Sequence, residues 1–180
     1  MASWRSKADS STSSLSIGPA TVTPALLTRI FLRAPHSYTD DNHGHLRKAL
    51  AEAPRAVDAL RMLLEAPIDD PTGAGTRRGC LMANSTCELG NADPKVLAHA
   101  HRTDETSTAL IGDCVARAQR EGDLPAAVDP IALARALLAA QQGIVFMGRT
   151  GLDTATLTAT ARSLAAQLLP GHSGDRTDRC

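Results

Sequence analysis

Along most of this chain apolar residues recur three and four positions apart, the period of an amphipathic helix. The pattern begins near Asp40-Asp41-Asn42, which offers helix caps. Leu46 and Leu50 face inward up to Ala53-Pro54, where the residue before proline disfavours the helical region. Val57, Leu60, Leu63 and Leu64 then restore the stripe, predicting two helical pieces over 44–53 and 54–66, or one kinked helix. Pro67 to Gly75 reads as a loop. A short helix follows over 77–89, with Leu81, Met82, Ser85 and Leu89 on a face apolar enough to sit inside a bundle. Gly90-Asn91 stops it.

Two start signals of the same kind come next. Asp93-Pro94 supplies an N-cap and a proline at the first helical position, and the helix extends to about Glu121 with Gly122 just past its end. Its stripe is Val96, Ala100, Leu110, Cys114 and Ala118, with Thr103 and Ser107 in the same phase. Those hydroxyls either face a cavity or bond back to their own helix, and the second is expected. Gly112 weakens the helix by about 1 kcal/mol relative to alanine, which predicts a bend or a close helix approach. Asp129-Pro130 repeats the start signal, with Val128 stapled onto Leu133. The helix it opens runs to about Met147 on a broad stripe of Ala134, Leu137, Leu138, Gln141, Ile144, Val145 and Gly148. Only Arg135 is charged between Ile131 and Gly148, so this helix is expected to be buried on most sides. Asp153 caps a last helix whose face is Leu157, Ala161, Leu164 and Leu168, and Pro170-Gly171 ends it.

The flanks differ. Ser10 to Ser16 is almost pure Ser and Thr, and Pro19, Pro24 and Pro35 follow. Such a segment buries too little surface to fold alone. The expected organisation is an atypical segment over 1–41, a helical domain over 42–170 and a polar tail over 171–180.

Composition narrows this to an all-α fold. Of 180 residues 43% are apolar but only 2% aromatic, so Leu, Ala, Val and Ile must make the core, which suits close-packed helices better than a sheet. Basic and acidic residues balance at 19 each, against a dedicated nucleic-acid-binding domain. The Ser-rich start lacks the apolar core of a signal peptide, and no run approaches a bilayer-spanning length, so a cytoplasmic chain with no membrane association is expected. Cys80, Cys87, Cys114 and Cys180 are then reduced thiols. Cys80 and Cys87 share a helical face, but the expected role of a buried cysteine is that of a small hydrophobe.

Candidate chemistry is sparse. The loop PIDDPTGAG is no phosphate loop: no strand precedes it and Gly75-Thr76-Arg77 replaces the Gly-Lys-Ser/Thr ending. His36, His43, His45, His99, His101 and His172 include no pair at metal-binding helical spacing, so surface or capping roles are expected for all six. No catalytic constellation, metal site or cofactor motif stands out, and no enzyme is expected. The hairpin over 130–148 and 154–169 carries more apolar surface than one helical layer covers. This predicts a homodimer pairing through Leu137, Leu138, Gln141, Ile144, Val145, Leu157, Ala161, Leu164 and Leu168.

The run Arg78-Gly79-Cys80-Leu81-Met82-Ala83-Asn84-Ser85 resembles the short central helix in the regulatory domain of TetR-type transcriptional repressors. Asn91-Ala92-Asp93-Pro94-Lys95-Val96 and Cys114 to Leu124 fit the same pattern, as do the Asp129-Pro130 helix and the closing hairpin, over about residues 42–169. The resemblance implies an all-helical ligand-binding domain that dimerises through its last two helices and admits a small, usually apolar effector. If so, the effector site lies between the kinked first helices, the short central helix and the long helix, where helical phase offers Leu60, Leu64, Met82, Leu110, Cys114 and Phe146. Members of the family also carry an N-terminal helix-turn-helix head. Residues 1–41 lack its apolar period and its aromatic-rich recognition segment, so operator DNA remains a partner that no residue here supports. Two explanations compete: a natural headless relative, or an N-terminal part read in a shifted frame. The second is preferred, and it requires another frame upstream of Thr39 to encode a helix-turn-helix.

Overall fold

The computed structural model describes residues 39–68 and 79–169, and all regular structure among them is helical. The expectations placed on 1–38, on most of the Pro67–Gly75 loop and on the tail after Leu169 lie outside these residues. Six helices follow in order: α1 over 39–52, α2 Ala56–Glu65, α3 Leu81–Leu89, α4 Pro94–Arg120, α5 Pro130–Arg149 and α6 Thr154–Leu168.

The start signals work as their chemistry dictates. Asp93 accepts from Lys95 N, Asp129 from Ile131 N and Ala132 N, and Asp153 from Thr156 N, each satisfying N–H groups that have no partner inside the helix. At Asp153 the Thr156 backbone N–H and then its hydroxyl hold the carboxyl below the usual aspartate range. Past the end of α4, Gly122 adopts φ +80°, a left-handed conformation that suits glycine.

α2 is the centre of the bundle and packs on α4, α5 and α6, while α3 leans on α4. Leu60 and Leu64 on α2, Ile111 and Val115 on α4, Leu137 and Ile144 on α5 and Leu157 and Ala161 on α6 form one core. The break between α1 and α2 falls at 53–55, around Pro54, as expected. It is braced from α4. Arg117 donates to Ala51 O at 3.3 Å and Ala53 O at 3.1 Å, at the end of α1. Glu121 accepts the Ala56 N–H at the start of α2 at 2.8 Å and pairs with Arg117 at 3.2 Å. Arg55, inside the break, pairs with Asp123.

Four expectations need correction. Asp40, Asp41 and Asn42 are not caps, because α1 already includes residue 39; the buried Thr39 hydroxyl lies 3.3 Å from His99 Nε2 on α4. α3 buries only Ser85, while Leu81, Met82 and Leu89 are half-buried, since one side of this helix faces a cavity and not the core. On α4 the buried set includes His99, Thr108, Ile111 and Val115, and Ala100 and Leu110 are only half-buried. Finally, α5 is not buried on most sides. Ala132, Ala139 and Gly143 are exposed and Phe146 is 67% exposed, because within one chain α5 is covered only on the face toward α2, α4 and α6. By length and composition this helix also reaches what a membrane span needs, closer than the sequence pattern suggested. It stands in a hairpin with α6 and packs along α4.

Candidate functional site

A cavity of about 920 Å³ opens between α1, α2, α3, α4 and α5, at the upper end of the range for small-molecule sites. Each helix contributes one side. α1 presents Leu46, Ala49 and Leu50, and α2 presents Ala59, Met62 and Leu63. Met82 and Ala83 come from α3, Leu97, Ala100 and Ile111 from α4, and Leu138 from α5. The cavity exists because α1 turns away from α2 at Pro54 and the short α3 closes only part of the gap. Arg149 at the end of α5 bonds Asn84 and ties α3 in place.

Polar groups are set into this aliphatic wall. His43 Nε2 on α1 and Ser107 Oγ on α4 are 3.1 Å apart. Gln141 on α5 donates to Leu63 O at 3.2 Å. Thr103 donates back to His99 O and Thr86 to Met82 O, which uses their hydroxyl protons within their own helices. Among the described residues the carboxylates lining the cavity are Glu65 and Asp104, no Lys or Arg lines it, and His43, His45 and His101 do. Glu65 is paired with Arg162 at 3.3 Å.

The position expected for an effector site is therefore occupied by a cavity, but most of the residues chosen for it lie elsewhere. Of the six, Met82 lines it. Leu60, Leu64 and Cys114 are enclosed in the core, Leu110 packs against that core, and Phe146 stands out on the far side of α5. Cys114 sits 3.6 Å from Ala56 O, and burial pushes its thiol up, which makes it a packing residue. Cys80 and Cys87 do line the cavity. Two helical turns separate them, about 10 Å along an axis, too far for a bond between them.

The residues that sequence reasoning missed are His43, Ser107 and Gln141 in their cavity roles. Ser107 carried a signal, a hydroxyl in the apolar phase of α4. His43 and Gln141 carried none, because their partners are 64 and 78 positions away. His99, expected at the surface, is buried. Among the described residues no group of three or more His, Cys, Asp or Glu side chains is placed to hold a metal ion.

The residues named for pairing divide in two. Leu137, Ile144, Leu157 and Ala161 are enclosed within a single chain and leave nothing for a second copy to cover. Leu138, Gln141, Val145, Leu164 and Leu168 are half-buried. The side of the hairpin turned outward instead carries Ala139, Gly143 and Phe146 on α5 and Ala155, Ala159 and Ala166 on α6.

Comparison with known proteins places these features. Residues 56–164, more than half of the chain, match the model of the family described as tetracyclin repressor-like, C-terminal domain. A solved structure from Rhodococcus sp. RHA1, assigned as a TetR transcriptional regulator, superposes with a TM-score of 0.59. It is 27% identical, over 83% of this chain and 82% of its own. No curated protein matches the chain.

Proposed function

The chain belongs to the family of tetracyclin repressor-like C-terminal domains, and on that premise we propose that it is a TetR-type transcriptional regulator, a repressor that senses a small apolar effector through its helical domain. The observation that carries this is the cavity between α1 and α5, drug-sized and mostly aliphatic. The effector enters it, and Met82 is one of its contacts. Two copies pair through the outward side of α5 and α6, where small side chains let helices approach closely and Phe146 stands uncovered. The protein works in the cytoplasm and catalyses nothing.

A second reading is that the chain binds no DNA itself and acts by forming mixed dimers with a relative that does. The thin basic content of residues 1–41 favours it: only Arg5, Lys7, Arg29 and Arg33 are there to meet phosphates. A mobility shift with the purified chain and the DNA upstream of its gene, at low and moderate salt, separates the two. A specific shift gives the chain its own operator contact. No shift, with a dimer in sedimentation velocity, leaves it the module of the second reading. A monomer at micromolar concentration contradicts both.

A further inference from the structure

We infer that the cavity selects a neutral amphiphile with a largely aliphatic body, whose hydroxyl or carbonyl end is received by Ser107 and His43. The inference rests on the reading above that the cavity is an effector site, and it names the chemical class. Three observations lead to it.

The first is charge. A ligand anion taken into a low-dielectric cavity needs a fixed cation or several donors, because desolvating it is otherwise expensive. Among the described residues the lining has no Lys or Arg, and of its three imidazoles, His43, His45 and His101, the last two are exposed to water. A ligand cation would find Glu65 already engaged by Arg162, and Asp104 exposed to water, where its field is screened. Neither charge is well received.

The second is the state of the polar groups. The hydroxyls of Thr86 and Thr103 are spent on their own helices. Ser107 and His43 share one hydrogen bond across the gap between α4 and α1, and a serine hydroxyl has one donor and two acceptor sites. If Ser107 donates to the imidazole, its oxygen can still accept from a ligand hydroxyl. If the imidazole donates, the serine proton is left to bond a ligand carbonyl. The pair therefore suits either neutral group and needs no charge on the ligand.

The third is the wall itself. Leu46, Leu50, Met62, Leu63, Met82 and Ile111 are all aliphatic or thioether, and among the described residues no Phe, Tyr or Trp lines the cavity. A flexible or alicyclic hydrocarbon body is matched to such a wall.

The test uses the full chain and the fluorescent probe N-phenyl-1-naphthylamine, displaced by 1-decanol, decanoate and decylammonium at mildly alkaline pH. The expected result is displacement by decanol at concentrations about tenfold or more below those of either ion. Ser107→Ala should weaken decanol by roughly three- to tenfold, one hydrogen bond's worth, and leave the probe's own affinity and the helical circular dichroism unchanged. Decanoate or decylammonium binding as tightly as decanol overturns the neutral class. An unaltered decanol affinity in Ser107→Ala overturns the head-group assignment. If neither the probe nor any of the three binds, the effector-site reading itself falls.

Discussion

At Gly112 the backbones of α4 and α5 come so close that side chains decide the spacing. A Cβ there would lie 2.9 Å from Ile131 Cδ1 and 4.0 Å from Ala134 Cβ. Ile131 is 40% exposed, so the end of its side chain can swing into water and admit one methyl group. Gly112→Ala is therefore expected to cost nothing, its strain offset by about 1 kcal/mol of helix propensity. Gly112→Leu has no such escape and should lose about 1–3 kcal/mol, read as a lower urea midpoint with unchanged slope. A wild-type midpoint for the leucine variant would mean the helices are not in close contact. The sequence marked Gly112 as a bend or a close approach, and the structure makes it the second. It could not mark Ile131 as the neighbour, since that depends on how two helices cross. Asp153 shows the pH side of the same scale. Its carboxyl is held down by Thr156. Its contribution is thus full above the unfolded pKa and fades as pH falls through the lower folded value.

Among the elements, the last turn of α4 governs how α1 departs from α2. Arg117 satisfies carbonyls at the end of α1 and Glu121 satisfies the first N–H of α2, so one turn caps two helices at once. Glu121→Ala removes the cap on α2 and the partner of Arg117, and should cost about 1 kcal/mol in thermal or urea unfolding. Glu121→Gln keeps an acceptor for the Ala56 N–H and should recover much of that loss. Equal stability of the alanine variant and the wild type would show the brace to be idle. The break itself was legible, because Pro54 announces it and the stripe resumes at Val57. The brace was not: a capping side chain more than sixty positions away leaves no local trace. The early start of α1 was hidden for a related reason. Asp40, Asp41 and Asn42 have the chemistry of caps, but the Thr39–His99 contact holds the chain helical past them.

For the whole molecule, an all-helical architecture and the place of its cavity follow from the order of motifs, whereas the cavity's own residues do not. Leu60 and Leu63 belong to one stripe in sequence, yet Leu60 is enclosed in the core and Leu63 borders the cavity. Helical phase cannot separate the two, because a cavity and a core both ask for apolar side chains on the inner face. The same limit applies to pairing. Apolarity picked out Leu137 and Leu157, which face their own chain, while the exposed positions of the hairpin mix small residues such as Ala139, Gly143 and Ala159 with Phe146, Arg135 and Arg162, which no hydrophobic stripe singles out. What joins cavity and hairpin is α5: Leu138 and Gln141 border the cavity, and Ala139 and Gly143 lie on the outer side. The central claim is that this cavity takes up a small apolar molecule. It is tested most directly by titrating the full chain with N-phenyl-1-naphthylamine and repeating the titration on Ala100→Trp, which fills the cavity from α4. The account predicts saturable binding of one probe per chain, abolished in the tryptophan variant while its sedimentation and melting temperature stay near wild type. Probe binding that does not saturate, or that survives Ala100→Trp undiminished, would contradict it.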